Sequence, residues 1–198
     1  MATLNATNLK HASSSSNNIV LAADGSTTIS NLSNDVGKIL QVVQFRKTDT
    51  FSSSQNGFVD IGVAVDITPV AAGSKILITA SYSGYSHQPS GGAGKIVRTI
   101  GGTAQDIGKA DAASSRNVSS FSGHLYTANG SDSDYISLIA NTQILDTPSY
   151  SVGNTINYKI QCHPENSTLR INYQETDDNN TTNGNRTTSY ITCMEVAA

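Results

Sequence analysis

Four histidines, His11, His87, His124 and His163, are the side chains in this chain best suited to holding a metal or moving a proton at neutral pH. They are far apart, and no two stand at a metal-ligand spacing, so each reads as an ordinary surface or core histidine. His124 and His163 lie in or beside strands and could meet in space. Two acidic clusters, Asp132-Ser133-Asp134 and Glu175-Thr176-Asp177-Asp178, could hold a hard cation through oxygen ligands. Neither has the register of a full cation-binding loop, and a solvated turn is the simpler reading. Gly101-Gly102-Thr103 follows Ile100 as a phosphate cradle would, but the full glycine fingerprint and the helix after it are missing, which leaves a tight turn. There is no Gly-x-Ser-x-Gly elbow, phosphate loop or paired-carboxylate context. The expectation is a chain that is not an enzyme and carries no cofactor or metal.

Recognition by contact is the other chemistry the residue types allow. Eight tyrosines are many for a chain without tryptophan, and most fall in strands, where the ring packs and the hydroxyl reaches the rim. Tyr85 stands apart, in a Gly/Ser/Pro segment beside His87 and Gln88, the composition of a surface that recognises glycan or protein, although a tyrosine packing against its own loop is the simpler reading. The segment Thr176 to Arg186 is too polar to be core and has the same outward character. Tyr85, His87, Gln88, Asp177, Asp178, Asn179 and Asn183 are therefore the candidate receptor-facing residues.

Composition limits what can position these loops. At 198 residues the chain can build one sizeable core, or one domain and a short arm. Ser, Thr and Asn are abundant and Leu, Ile, Val and Phe scarce, yet the net charge is only −3 and the apolar residues are patterned, unlike those of a disordered chain. A monomer with so few apolar residues is marginal, and oligomerisation would close the gap. The slightly acidic balance without a basic cluster argues against nucleic acid. No stretch has the length of a membrane span, and Met1-Ala2-Thr3 opens no signal peptide, so synthesis and assembly in a cytoplasm are expected. Cys162 and Cys193 then read as free buried thiols, with a disulfide between them the minor alternative. Triplets such as Asn117-Val118-Ser119 and Asn166-Ser167-Thr168 are expected by chance in such a composition.

The pattern along the chain is that of β-structure. Residues 1–36 form a polar arm with the run Ser13 to Ser16, then Ile19-Val20-Leu21, a turn at Ala23-Asp24-Gly25-Ser26, and a second short strand at Thr27 to Ile29. Residues 37–198 form the main domain. Strands are predicted at Lys38 to Phe45, Val59 to Ile67, Ser74 to Tyr82, Lys95 to Ile100, Phe121 to Tyr126, Tyr135 to Ala140, Thr155 to Cys162, Thr168 to Gln174 and Ser189 to Val196. In the first, Ile39, Val43 and Phe45 share one face and Leu40 and Val42 the other. Val59, Ile61, Val63, Val65 and Ile67 share one face, as do Ile76, Ile78, Ala80 and Tyr82 in the next strand. In the last, Ile191, Cys193 and Glu195 oppose Tyr190, Thr192, Met194 and Val196. Helical periodicity is absent and no internal repeat is convincing. The fold class is an all-β, jelly-roll-like antiparallel sandwich with a short extended N-terminal arm.

Several stretches, taken in order, carry a resemblance. They are Gly37 to Gln44; Ile67-Thr68-Pro69 leading to Ser74-Lys75-Ile76-Leu77-Ile78; Asp111 to Arg116 after Ile107-Gly108; Leu145-Asp146-Thr147-Pro148; Thr155 to Gln161; and the ending Ser189 to Ala198. This order is similar to the C-terminal domain of tail-fibre and virion structural proteins of bacteriophages, particularly those of marine bacteria and cyanobacteria. The resemblance implies a trimeric jelly-roll domain carried on the virion and touching the host surface, without catalytic residues. Partners would be two further copies of the chain, other virion proteins through the arm, and a host glycan or protein; neither nucleic acid nor membrane insertion is implied. Only about 36 residues precede the domain where such fibres carry a long shaft, which suggests a tip or appendage. Cys193 stands where the ending more often has an aliphatic residue. A head-decoration or tail-collar component using the fold for assembly alone is the alternative. A polysaccharide-degrading appendage would need clustered carboxylates in a groove, and the carboxylates here lie mostly in turns.

Overall fold

The computed structural model describes residues 7–10, 12–13, 15–16, 19–23, 25, 27–29, 38–86, 92–123, 137–164, 168–174, 177 and 184–198. Among these there is no helix. The chain divides into two compact units, Met1–Lys38 and Ile39–Ala198. Among its described residues the first holds three short strands, β1 (Asn8–Leu9), β2 (Ile19–Leu21) and β3 (Thr27–Ile29), in one antiparallel sheet of that order. The β2–β3 hairpin expected from Asp24-Gly25 pairs Ile19 with Ile29 and Leu21 with Thr27.

The second unit contains β4 (Ile39–Lys47), β5 (Phe51–Ser53), β6 (Val59–Ile67), β7 (Lys75–Ser86), β8 (Gly92–Ile100), β9 (Thr103–Ile107) and β10 (Phe121–Gly123). It continues with β11 (Leu138–Asp146), β12 (Ile156–His163), β13 (Leu169–Ile171) and β14 (Ser189–Val196). The pairings are nested and antiparallel. β4 pairs with β14, β6 with β12, β7 with β11, and β8 with β9 at the hairpin. A long hairpin folded over on itself in this way is a jelly roll. One sheet runs β4-β14-β7 with β11 on the far edge of β7; the other runs β6-β12-β8 with β9 and β10 beside β8. Short β13 continues the edge that β14 occupies along β7, since Gly84 pairs with Ile171 on one side and with Leu138 of β11 on the other. A Cβ at Gly84 would collide with the carbonyl oxygen of Arg170, so this crossing requires glycine.

The core is a layer of mostly β-branched side chains between the sheets. Ile61, Val63 and Ile67 of β6, Ile76, Ile78, Ala80 and Tyr82 of β7, Ile156, Tyr158 and Ile160 of β12, and Ile191 and Cys193 of β14 are all buried. Alternation puts them there, because every second residue of a half-buried strand faces the partner sheet. Val65 packs at the margin of this core.

Sequence and structure differ in places. β9 lies where no strand was predicted; it follows a two-residue turn in which Gly101 and Gly102 have φ of +55° and +83°, the positive pair that a tight hairpin needs. β5 is also additional. β11 runs from Leu138 to Asp146, beyond the expected end at Ala140, since its inward positions include Thr142 and Asp146 and so break the apolar pattern. β7 extends to Ser86 because β11 and β13 clasp its second half, which places Tyr85 on a strand and not in the loop that follows. Ile39 and Phe45, expected to share a face with Val43, are both substantially exposed. A register shift between Glu195 and Val196 interrupts the alternation of β4 at its start.

Candidate functional site

The sheets are joined internally by a polar latch. Asp146, at the end of β11, receives hydrogen bonds from Arg98 Nη1 on β8 at 2.8 Å to each carboxylate oxygen, and from the Tyr158 hydroxyl of β12 at 2.7 Å. The second Arg98 nitrogen donates to Gln105 Oε1. Burial, then the adjoining Asp146 carboxylate, pushes the Tyr158 hydroxyl well above its ordinary value. The Cys193 thiol is pushed up to about 12, by burial and then by Asp146. Cys162 is pushed up by burial alone. Both thiols are free and buried, and neither is a thiolate at neutral pH. The latch fixes one sheet against the other.

A second clasp closes the end of the sandwich where β14 finishes. Glu195 is on the inward face with Ile191 and Cys193 and is fully buried. Its carboxylate accepts hydrogen bonds from Gln41 Nε2 at 2.6 Å, from the Val70 backbone N–H at 3.0 and 3.1 Å, and from the Ala71 N–H at 3.1 Å. Burial favours the protonated acid, but these donors outweigh it and hold the carboxyl below its ordinary value. Gln41 Nε2 also donates to the Thr68 carbonyl, and the Tyr150 hydroxyl to that of Ala71, so the connections 68–74 and 147–155 are tied to the same end.

The outer faces of the two sheets differ in chemistry. Across β6, β12 and β8 the exposed side chains form polar and ionic ladders: Lys159 and Gln161 donate to Asp60 at 2.7 and 2.6 Å, Asn157 to Asp66 at 2.8 Å, and Lys95 pairs with Asp106 at 3.0 Å. Lys95 also lies 4.5 Å from the centre of the Phe58 ring, and that ring meets His163 edge-on. Such a face is stable in water. On the other sheet, Val42, Met194, Leu77 and Leu145 occupy one cross-strand row of β4, β14, β7 and β11. Val42 and Leu145 each expose more than half of their surface, as do Val70 and Val152 on the connections clasped at the same end. This is an exposed apolar patch of the kind that marks an interaction surface.

Moving along the same sheet toward Ser83, the rows become polar: Gln44, Thr192, Thr79 and Gln143 first, then Arg46, Tyr190, Ser81 and Asn141. Here a groove of about 810 Å³ crosses β7, β11 and β14, walled on one side by residues 186–188. Asn172 holds that wall. It is buried, with φ +67°, donates through Nδ2 to the carbonyls of Lys47 and Asp49, and accepts from Ser189 Oγ at 2.7 Å. Its backbone carbonyl takes the Thr187 N–H at 3.0 Å. Buried Gln174 accepts the Asn185 N–H at 2.8 Å.

The predicted receptor-facing residues have mixed outcomes. Asp177 is exposed and forms a two-point pair with Arg186, which lines the groove, through bonds of 2.8 and 2.6 Å. Tyr85 lies on β7 with its backbone paired to Arg170. His87, Gln88, Asp178, Asn179 and Asn183 lie outside the described residues, as do Asp132 to Asp134 and His124. Among the described residues, no three His, Cys, Asp or Glu side chains gather as a metal site. Thr79, Tyr190, Asn141 and Gln143 were not singled out from the sequence. The available signal was that they alternate with core positions on strands whose outer face carries no charge ladder.

Fold and surface together define a jelly-roll sandwich with an apolar patch at one end of a sheet and a polar groove toward the other. No protein-family model matches the chain, and no curated protein matches it.

Proposed function

We propose that this chain is a bacteriophage virion structural protein, a homotrimeric tail-fibre or appendage tip that takes part in attachment to the host surface, with the N-terminal unit docking to other virion proteins. The observation that carries this reading is the apolar row Val42-Met194-Leu77-Leu145 with Val70 and Val152 beside it. An exposed patch of this kind is costly for a lone chain and is relieved when copies of the chain cover one another's patches.

Two further observations support it. Most of the stretches that resemble the phage-fibre domain fall on the framework, in β4, β7, β12 and β14 and at Asp146 of the latch, while Asp111 to Arg116 lies in the connection between β9 and β10. The apolar patch and the polar groove also occupy different ends of one sheet, so assembly at the first leaves the second open. Threefold display would then multiply weak contacts through effective concentration. Antibody raised against the purified protein should block adsorption of the phage to its host. Unimpaired adsorption under saturating antibody would favour a decoration or collar component.

A further inference from the structure

We propose that the groove across β7, β11 and β14 binds a neutral saccharide. This rests on the reading above that the polar end of the sandwich faces outward, and it assigns the ligand class and the residues. The lining is made of groups that both donate and accept: the hydroxyls of Thr79, Ser81 and Tyr190 and the amides of Asn141 and Gln143. A saccharide ring needs this mixture, because each of its hydroxyls does both.

Charge selects among ligands. The one ionic group in the lining, Arg186, is matched two-point by Asp177, so the groove offers an ionic ligand no net attraction. Arg46 lies one strand away, in register with Tyr190, outside the lining. The apolar requirement is met as well. Ile139 is 68% exposed in the groove, and Tyr190 adds aromatic surface for the C–H face of a sugar ring.

The wall also holds unused hydrogen-bonding capacity. Ser83 Oγ and Thr187 Oγ1 are buried, line the groove, and have no hydrogen-bond partner among the described residues. Leaving such groups unpaired costs stability, and sites of binding are where that cost is tolerated. The bond from Gln143 Nε2 to Thr79 Oγ1 is long, at 3.3 Å, and readily exchanged for a ligand hydroxyl. The row Tyr190-Ser81-Asn141 covers two inter-strand steps of about 4.8 Å each, a platform on the scale of a disaccharide.

The test is retention of the full chain on immobilised neutral polysaccharides (mannan, galactan and dextran) and on alginate, an acidic one. Retention on at least one neutral matrix, unchanged by added salt, is expected. Asn141→Ala with Gln143→Ala, both exposed positions, should weaken it about tenfold, the loss of two ordinary hydrogen bonds. Tyr190→Phe, which keeps the ring, should weaken it less. Melting temperature and oligomer mass should be unchanged in every variant. Retention on no matrix, retention on alginate alone that salt abolishes, or wild-type retention by the double variant would each overturn the assignment. A double variant with altered oligomer mass would instead make the groove an interface between copies. The mass of the wild-type protein, measured separately, decides whether the assembly reading fails on its own.

Discussion

Single residues set the stability of this sandwich more sharply than its composition suggests. Asp146 is the only described acceptor that Arg98 and Tyr158 share, so Asp146→Ala strands a guanidinium and a phenol between the sheets. A loss of about 3–5 kcal/mol is expected in urea unfolding, the cost of breaking a buried pair from one side. Tyr158→Phe removes one bond to a charged acceptor and should cost about 1.5–3 kcal/mol. Glu195 gives a pH signature. Its folded carboxyl is held below the ordinary value of 4.5, so it contributes fully above pH 4.5 and its contribution is lost as pH falls through the lowered folded value. Glu195→Gln, whose amide suits the Val70 and Ala71 N–H donors less well, should be less stable than wild type at pH 7, and the gap should narrow toward pH 3. A gap constant with pH would show that the carboxylate charge is not what the clasp uses. The inward position of Glu195 was legible from its alternation with Ile191 and Cys193. Its donors were not, since Gln41, Val70 and Ala71 are more than a hundred residues away and no spacing rule joins them.

At the scale of elements, β6 and β14 were read from the sequence to the residue, because apolar residues recur at every second position in both, Thr68-Pro69 closes β6 and the polar Thr187-Thr188 precedes β14. β9 and the second half of β11 were not. In β9 every residue but Asp106 and Ile107 is exposed, so no apolar alternation marks it, and in β11 the inward Asp146 faces the core only because Arg98 and Tyr158 of the other sheet receive it. The same limit hid the groove, whose lining residues look like ordinary polar strand positions until three strands bring them side by side. β14 is an interior strand, paired along its length with β4 and β7. Deleting Met194 to Ala198 therefore removes rungs from two ladders together with the Glu195 clasp and Met194 of the apolar row. The truncated protein should lack the β-sheet circular dichroism signal of the full chain at 25 °C; a truncated protein that keeps the signal and the assembly state would show that the last rungs are dispensable.

For the whole molecule, the central claim is that copies of the chain associate through the apolar end of the β4-β14-β7-β11 sheet. The charged face of the opposite sheet has no need of cover, and the latch keeps the two sheets together without help from a neighbour. Substitution on the patch should therefore separate assembly from folding. Light scattering of the purified chain at micromolar concentration, beside the variant carrying Val42→Glu and Leu145→Glu, tests this most directly. The account predicts three times the 20.8 kDa chain mass for the wild type and a single chain mass for the variant, with the β-sheet spectrum preserved in both. A wild-type mass of 20.8 kDa, or a variant that still forms trimers, would contradict it.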